Sequence, residues 1–243
     1  MNNKIINVQN LTKTFDEKEV IYRCNMTVPQ GVIYGFLGEN GAGKTTIFKL
    51  ITGLLNPTYG QINILGLDIE TNHNKILKQL GCMIESPIFY DNLSATENLE
   101  IHLKYMDAID ANIEKTLNDV GLVSTGKKPV SQFSLGMRQR LGIARAIIHK
   151  PSILILDEPI NGLDPMGIRE MRELFIRLVQ EENMTILISS HILSEIEYMA
   201  DIIGVIVNGS IVEEITLASI KEKFPNGLED YFFNIMSGGN TYV

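Results

Sequence analysis

Apolar and polar positions follow two different rhythms along the chain. Residues 3–11 and 20–28 alternate between them and predict two strands joined by a turn. Residues 32–37 are apolar almost throughout and predict a buried strand that runs into a glycine-rich turn, with a helix following from Lys44. A strand at 61–65, a helical stretch at 75–80 and a strand at 82–85 come next. From 94 to 149 the spacing is helical, with Asn92 or Ser94 as an N-cap, Gly121 as a stop and a long helix beginning at Leu135. Beyond Pro151 the predicted order is strand 153–156, helix 165–180, strand 185–189, helix 193–200 and strand 202–207. Strand-helix alternation of this kind implies a parallel sheet. The fold class expected is therefore α/β: a mainly parallel core, an N-terminal antiparallel β subdomain and an α-helical subdomain inserted at about 86–150. The tail from Lys221, which holds Gly227, Gly238 and Gly239, carries weak signals, and no internal repeat is present.

One loop in this pattern carries chemistry. Gly38-Glu39-Asn40-Gly41-Ala42-Gly43-Lys44-Thr45, followed by Thr46, fits G-x-x-x-x-G-K-[ST] and lies between an apolar strand and a helix start, the setting the motif requires. Small residues let such a loop close around a phosphate with its N–H groups pointing inward. The helix that follows adds free N–H groups and the positive end of its dipole, which favours an anion by about 0.3–1 kcal/mol at an exposed site. Lys44 supplies a full charge for the outer phosphates, and the Thr45 hydroxyl is placed to ligate Mg²⁺.

A second feature is the run Ile153-Leu154-Ile155-Leu156-Asp157-Glu158, apolar until two acids end it. Ligands in open parallel sheets bind at the carboxyl ends of strands. Taken alone, the acids suit equally a strand end and a turn before Pro159. Beside the cradle they acquire roles: Asp157 holds Mg²⁺ through water, and Glu158 polarises a water for in-line attack on a γ-phosphate.

Composition narrows the partners. With 44% hydrophobic and 21% charged residues and 8 prolines, the 243-residue chain supports a sizeable core. Its 21 basic against 29 acidic residues give a net charge of −8, the wrong sign for a nucleic-acid backbone. The residues after Met1 lack the apolar stretch of a secretory signal, and no apolar run approaches the roughly 18 residues of a membrane span, so a cytoplasmic protein is expected. Cys24 and Cys82 have neither metal-ligand spacing nor disulfide density and are expected to be free thiols.

The acids are preceded by Phe133-Ser134-Leu135-Gly136-Met137-Arg138-Gln139-Arg140 and followed by Asn161-Gly162-Leu163-Asp164 and an isolated His191. With these additions the chain resembles an ABC-type ATPase. The family signature L-S-G-G-Q-x-Q-R is matched at Ser134, Gly136, Gln139 and Arg140, while Phe133, Leu135 and Met137 depart, and Met137 cannot hydrogen-bond as Gln would. The resemblance implies a P-loop NTPase core of RecA-like type, an ATPase domain over 1–223 and a short tail over 224–243. It implies an ATP-dependent homodimer in which each nucleotide lies between one chain's cradle and the other's Ser134, Gly136 and Met137. Asp164 would then report across the interface, and His191 would sense the γ-phosphate, although a lone His is more often structural. Phe15, in the turn after the first strand, matches the adenine-stacking aromatic, or else merely covers its loop.

Where the family usually has Gln after the strand at 82–85, this chain has Glu85. That residue is expected near Mg²⁺ and the attacking water, coupling the site to a membrane partner, unless it is simply an acid in a solvated loop. Glu85 together with S-L-G-M-R-Q-R resembles the ATP-binding subunits of bacitracin-type and lantibiotic self-protection exporters. That resemblance implies a subunit on the inner face of the membrane, energising removal of a peptide antibiotic through separate integral-membrane permeases, with Ile88, Phe89 and Tyr90 as docking candidates. Other cargo (lipid, polysaccharide or another drug), import, and a non-transport ABC ATPase stand as alternatives. A non-hydrolysing regulator is opposed by Glu158.

Overall fold

The alternating N-terminal segments pair with each other: β1 (Lys4–Phe15) and β2 (Lys18–Pro29) form a hairpin that turns at Asp16 and Glu17, both in the left-handed region. This computed structural model describes residues 4–108, 111–123 and 125–237, so Asn3, Gly238 and Gly239 lie outside the described residues. The hairpin is followed by β3 (Ile33–Leu37), α1 (Lys44–Ile51), β4 (Tyr59–Ile64), β5 (Leu67–Asp68), α2 (Ile69–Leu77) and β6 (Leu80–Met83). The helical segment comprises α3 (Ala95–Met106), α4 (Ile113–Asp119) and α5 (Leu135–Ile147). The order then runs β7 (Ile153–Asp157), α6 (Pro165–Glu182), β8 (Thr185–Ser189), α7 (Leu193–Met199), β9 (Ile202–Val207), β10 (Ser210–Thr216), α8 (Leu217–Lys223) and α9 (Leu228–Met236).

Two sheets result. One is antiparallel with strand order β2-β1-β4-β5. The other has the order β10-β9-β3-β8-β7-β6 and is parallel except for the β9–β10 pair. All five residues of β7 are buried, as a strand covered on both faces requires. Ile153 and Ile155 enter a core shared with α1 and the antiparallel sheet, while Leu154 and Leu156 enter the core under α5, α6 and α7. A brace joins the sheets: the Tyr34 hydroxyl on β3 donates to Glu214 Oε1 on β10 at 2.8 Å, and the same oxygen accepts the Thr27 N–H of β2 at 3.1 Å. Burial raises the Glu214 carboxyl above its ordinary pKa.

Several predicted boundaries are corrected. The helix placed at 75–80 begins six residues earlier, where the Asp68 carboxylate caps Glu70 and Thr71 N–H groups, and Leu80 already opens β6. Ser94, not Asn92, caps α3, in a reciprocal capping box with Glu97. The weak tail is folded: Leu228 and Tyr231 of α9 join the core. β10, absent from the predicted elements, forms an edge strand. α5 presses directly on β6, since a Cβ on Gly81 would meet the Ala146 carbonyl oxygen at 2.0 Å. Across the same seam His149 Nε2 bonds the Leu80 carbonyl at 3.0 Å, and its Nδ1 faces His102 Nε2 of α3 at 3.3 Å. Both cysteines are free, and burial pushes the Cys24 thiol up to about 12. Among the described residues no helix is long and apolar enough to cross a membrane.

Candidate active site

The glycine-rich loop leaves β3 and delivers the chain into α1 at Gly43, whose φ of 110° is open to glycine and strained for other residues. No side chain caps this helix, so the N–H groups of its first turn are not claimed by a capping side chain. Lys44 folds back over the loop, its ammonium donating to the carbonyls of Gly38 at 2.7 Å and Glu39 at 3.1 Å. Burial lowers its pKa, and the nearby Glu158 and Asp157 carboxylates oppose that shift.

A cavity of about 220 Å³ opens beside this helix start. Asn40, Gly41, Gly43, Lys44, Thr45 and Thr46 line it from the loop side, and Asp157 and Glu158 face them from the end of β7. The two sides are stitched together, because the Thr45 hydroxyl donates to Asp157 Oδ2 at 2.6 Å. Ser189, at the end of β8, donates to Asp157 Oδ1 at 2.6 Å and accepts the Glu158 N–H at 3.0 Å. Glu158 itself has a φ of 50°, and its carbonyl accepts a hydrogen bond from Gln139 on α5. Its carboxylate Oε2 receives the His191 backbone N–H and lies 2.8 Å from His191 Nδ1. With Nδ1–H turned to the carboxylate, His191 would hold the acid in place and leave Nε2 facing elsewhere.

A hard divalent cation carried by phosphates needs only one or two protein oxygens. The Thr45 hydroxyl and the Asp157 carboxylate, already in contact at the cavity wall, fit that need. Among the described residues no three or more His, Cys, Asp and Glu side chains group into an all-protein metal cage.

The other predicted residues lie away from this cavity. Ser134 caps α5, accepting the Met137 N–H at 3.2 Å, and Asp164 caps α6, accepting the Gly167 N–H at 3.0 Å. Neither they nor Gly136 and Met137 line the phosphate cavity. Glu39 and Ala42 belong to the loop without lining it. Phe15 is the last residue of β1, not part of the turn; its ring is 40% exposed, with the Lys13 ammonium 4.9 Å from its centre. Glu85 has a φ of 62° and pairs with Lys49 of α1. Sequence reasoning missed Ser189, because only the register that sets Asp157 opposite Ser189 brings it to the site. Separately, Ile88, Phe89, Tyr90 and Tyr105 line a cavity of about 390 Å³ on the helical segment, with Ile88 85% exposed and the Arg145 guanidinium 4.8 Å from the Phe89 ring centre.

Residues 21–161 match the family described as ABC transporter. The chain is 50% identical over 226 residues to the bacitracin transport ATP-binding protein BcrA of Bacillus licheniformis, covering 93% of this chain and 74% of that one. It is 46% identical over 210 residues to the lantibiotic transport ATP-binding protein SrtF of Streptococcus pyogenes, covering 86% and 90%. A solved structure described as the ATP binding subunit of an ABC transporter superposes with a TM-score of 0.86 at 27% identity, over 96% of this chain and 99% of that one.

Proposed function

This chain belongs to the ABC transporter family as an ATP-hydrolysing, ATP-binding subunit, and from that premise we propose that it acts as a homodimer on the inner face of the cell membrane, powering removal of a peptide antibiotic through separate integral-membrane permease subunits. The observation that carries the dimer is the position of the signature: Ser134, Gly136 and Met137 stand outside the cavity that their own chain builds for phosphates. A second copy would bring them over it. The peptide cargo is supported by the two relatives named for bacitracin and lantibiotic transport.

When bound, ATP would present the γ-phosphate to be cleaved, and Mg²⁺ would offset the negative charge of its phosphates. The chain does the rest. Phe15 offers its exposed ring to the adenine. The loop N–H groups and the first turn of α1 bind the phosphates, and Lys44 exchanges two carbonyls for phosphate oxygens. Thr45 and Asp157 hold the cation. Glu158, fixed by Ser189, Gln139 and His191, orients the attacking water and takes its proton. In the partner copy Ser134 and the backbone at the α5 start cover the γ-phosphate, while Met137 contributes packing alone. The aromatic cavity around Phe89 and Tyr90 is the surface proposed to receive the permease.

Glu158→Gln tests the proposal. The variant should bind ATP, lose turnover by at least about 100-fold and sediment as a dimer at saturating ATP. Cells carrying the permease with wild-type subunit should tolerate more bacitracin or lantibiotic than cells carrying the variant. A chain that stays monomeric rules out the homodimer, and equal tolerance rules out the cargo.

A further inference from the structure

The N-terminal hairpin sits on the phosphate loop. A Cβ on Gly43 would meet Ile21 Cδ1 of β2 at 2.7 Å, and Val20, the preceding residue of that strand, lines the phosphate cavity. Val20 stands at a bulge, where Lys13 pairs with Ile21 and Thr14 with Glu19. Lys13 and Phe15 are two residues apart on β1, the spacing that brings side chains to one face of a strand. They meet there: the Lys13 ammonium lies 4.9 Å from the Phe15 ring centre. The same ammonium donates to the Asn56 carbonyl, in the loop between α1 and β4, at 2.8 Å. That loop is itself fixed to β1, since the Thr58 N–H donates to the Thr12 carbonyl at 2.8 Å and the Thr58 hydroxyl accepts the Thr14 N–H at 3.0 Å. The cation thus stands between an anchored carbonyl and a ring that is 40% exposed.

We propose that Lys13 is a positioning residue for the nucleotide base: its ammonium, held by Asn56, occupies one face of the Phe15 ring and fixes the ring so that the other face is set to stack on adenine. The inference rests on the assignment of Phe15 as the adenine platform. A cation over a ring is drawn to the negative charge of its face. A platform oriented in advance spares the ordering entropy that is lost when a free ring stacks. Phe15 has no hydroxyl with which to anchor itself, which leaves its orientation to a contact with its face.

The test is calorimetric binding of ADP and of inorganic pyrophosphate to the full chain. Pyrophosphate engages the phosphate loop and has no base. Lys13→Met should weaken ADP binding by about two- to fivefold, the range expected for an exposed cation–π contact, and leave pyrophosphate binding unchanged. Lys13→Arg should bind both as the wild type does, because a guanidinium also lies over an aromatic face. In a Phe15→Leu background, where no ring remains to be oriented, Lys13→Met should not change ADP binding. Equal loss of both ligands in Lys13→Met marks a direct pull of the ammonium on phosphate and overturns the inference, as does a loss of ADP affinity that persists in the Phe15→Leu background. Unchanged ADP binding in Lys13→Met beside weakened binding in Phe15→Leu also overturns it and leaves the adenine platform standing. ADP binding that ignores Phe15→Leu overturns the platform and the inference with it.

Discussion

The two helices that start at the recognisable motifs begin in opposite ways. α1 starts on Gly43 with no side-chain cap, in a wall where Thr45, Asp157 and Ser189 hold one another and Lys44 holds the carbonyls of its own loop. α5 starts on Ser134, which caps its own first turn, and the next residue, Leu135, is 65% exposed. The first end keeps its donors for a ligand and uses neighbouring side chains to hold its shape. The second is satisfied without a ligand and faces outward, ready for another body. In the proposed homodimer, the half-site that grips phosphate by itself is thus the rigid and open one, and the one that would only cover it is closed and exposed.

The sharpest way to break this contrast is to alter one residue at each helix start. Lys44→Ala should weaken ATP binding to the isolated chain by about ten- to hundredfold, the loss expected for a charge-assisted contact. Ser134→Ala should leave that affinity nearly unchanged while lowering turnover, and should cost about 1 kcal/mol of stability as a lost cap. Titration with a fluorescent ATP analogue and urea unfolding measure both. Equal loss of affinity in the two variants would erase the distinction.

The next effect tests whether α5 is anchored at its far end. Gly81→Ala would drive a methyl group into the Ala146 carbonyl and should destabilise the chain by about 1–3 kcal/mol. Nucleotide affinity of the folded fraction should persist, because α1 does not share that contact. The smallest effect is on acidity. Burial holds His102 near a pKa of about 4 against an ordinary 6.5, with His149 and Arg145 adding to the shift. The unfolded chain therefore takes up this proton first, so stability is complete above pH 6.5 and declines as pH falls toward 4. The melting temperature should drop over that interval, and His102→Gln should flatten the slope.

The cradle was legible in the sequence because its chemistry is local: eight consecutive residues specify strand end, loop and helix start. The acids of β7 were legible for the same reason. Ser189 and Lys49 were not, because they reach Asp157 and Glu85 through sheet register and helix face, relations between segments 32 and 36 residues apart. α2 was misplaced because it buries only Ile69 and Ile76, too few apolar positions to show a period, although Asp68 marked its start. α9 was obscured by Pro225 and Gly227 just ahead of it, while Leu228 and Tyr231, three apart, held the signal.

The phenol of Tyr34 has one more implication. Phe15, proposed for the adenine ring, ends a strand of one sheet, and the phosphate loop leaves a strand of the other. The Glu214 carboxylate, held by that phenol, locks these sheets by taking the Thr27 N–H of the other one, so the span between base platform and phosphate grip is gauged in advance, like the jaws of a caliper set before the workpiece is offered.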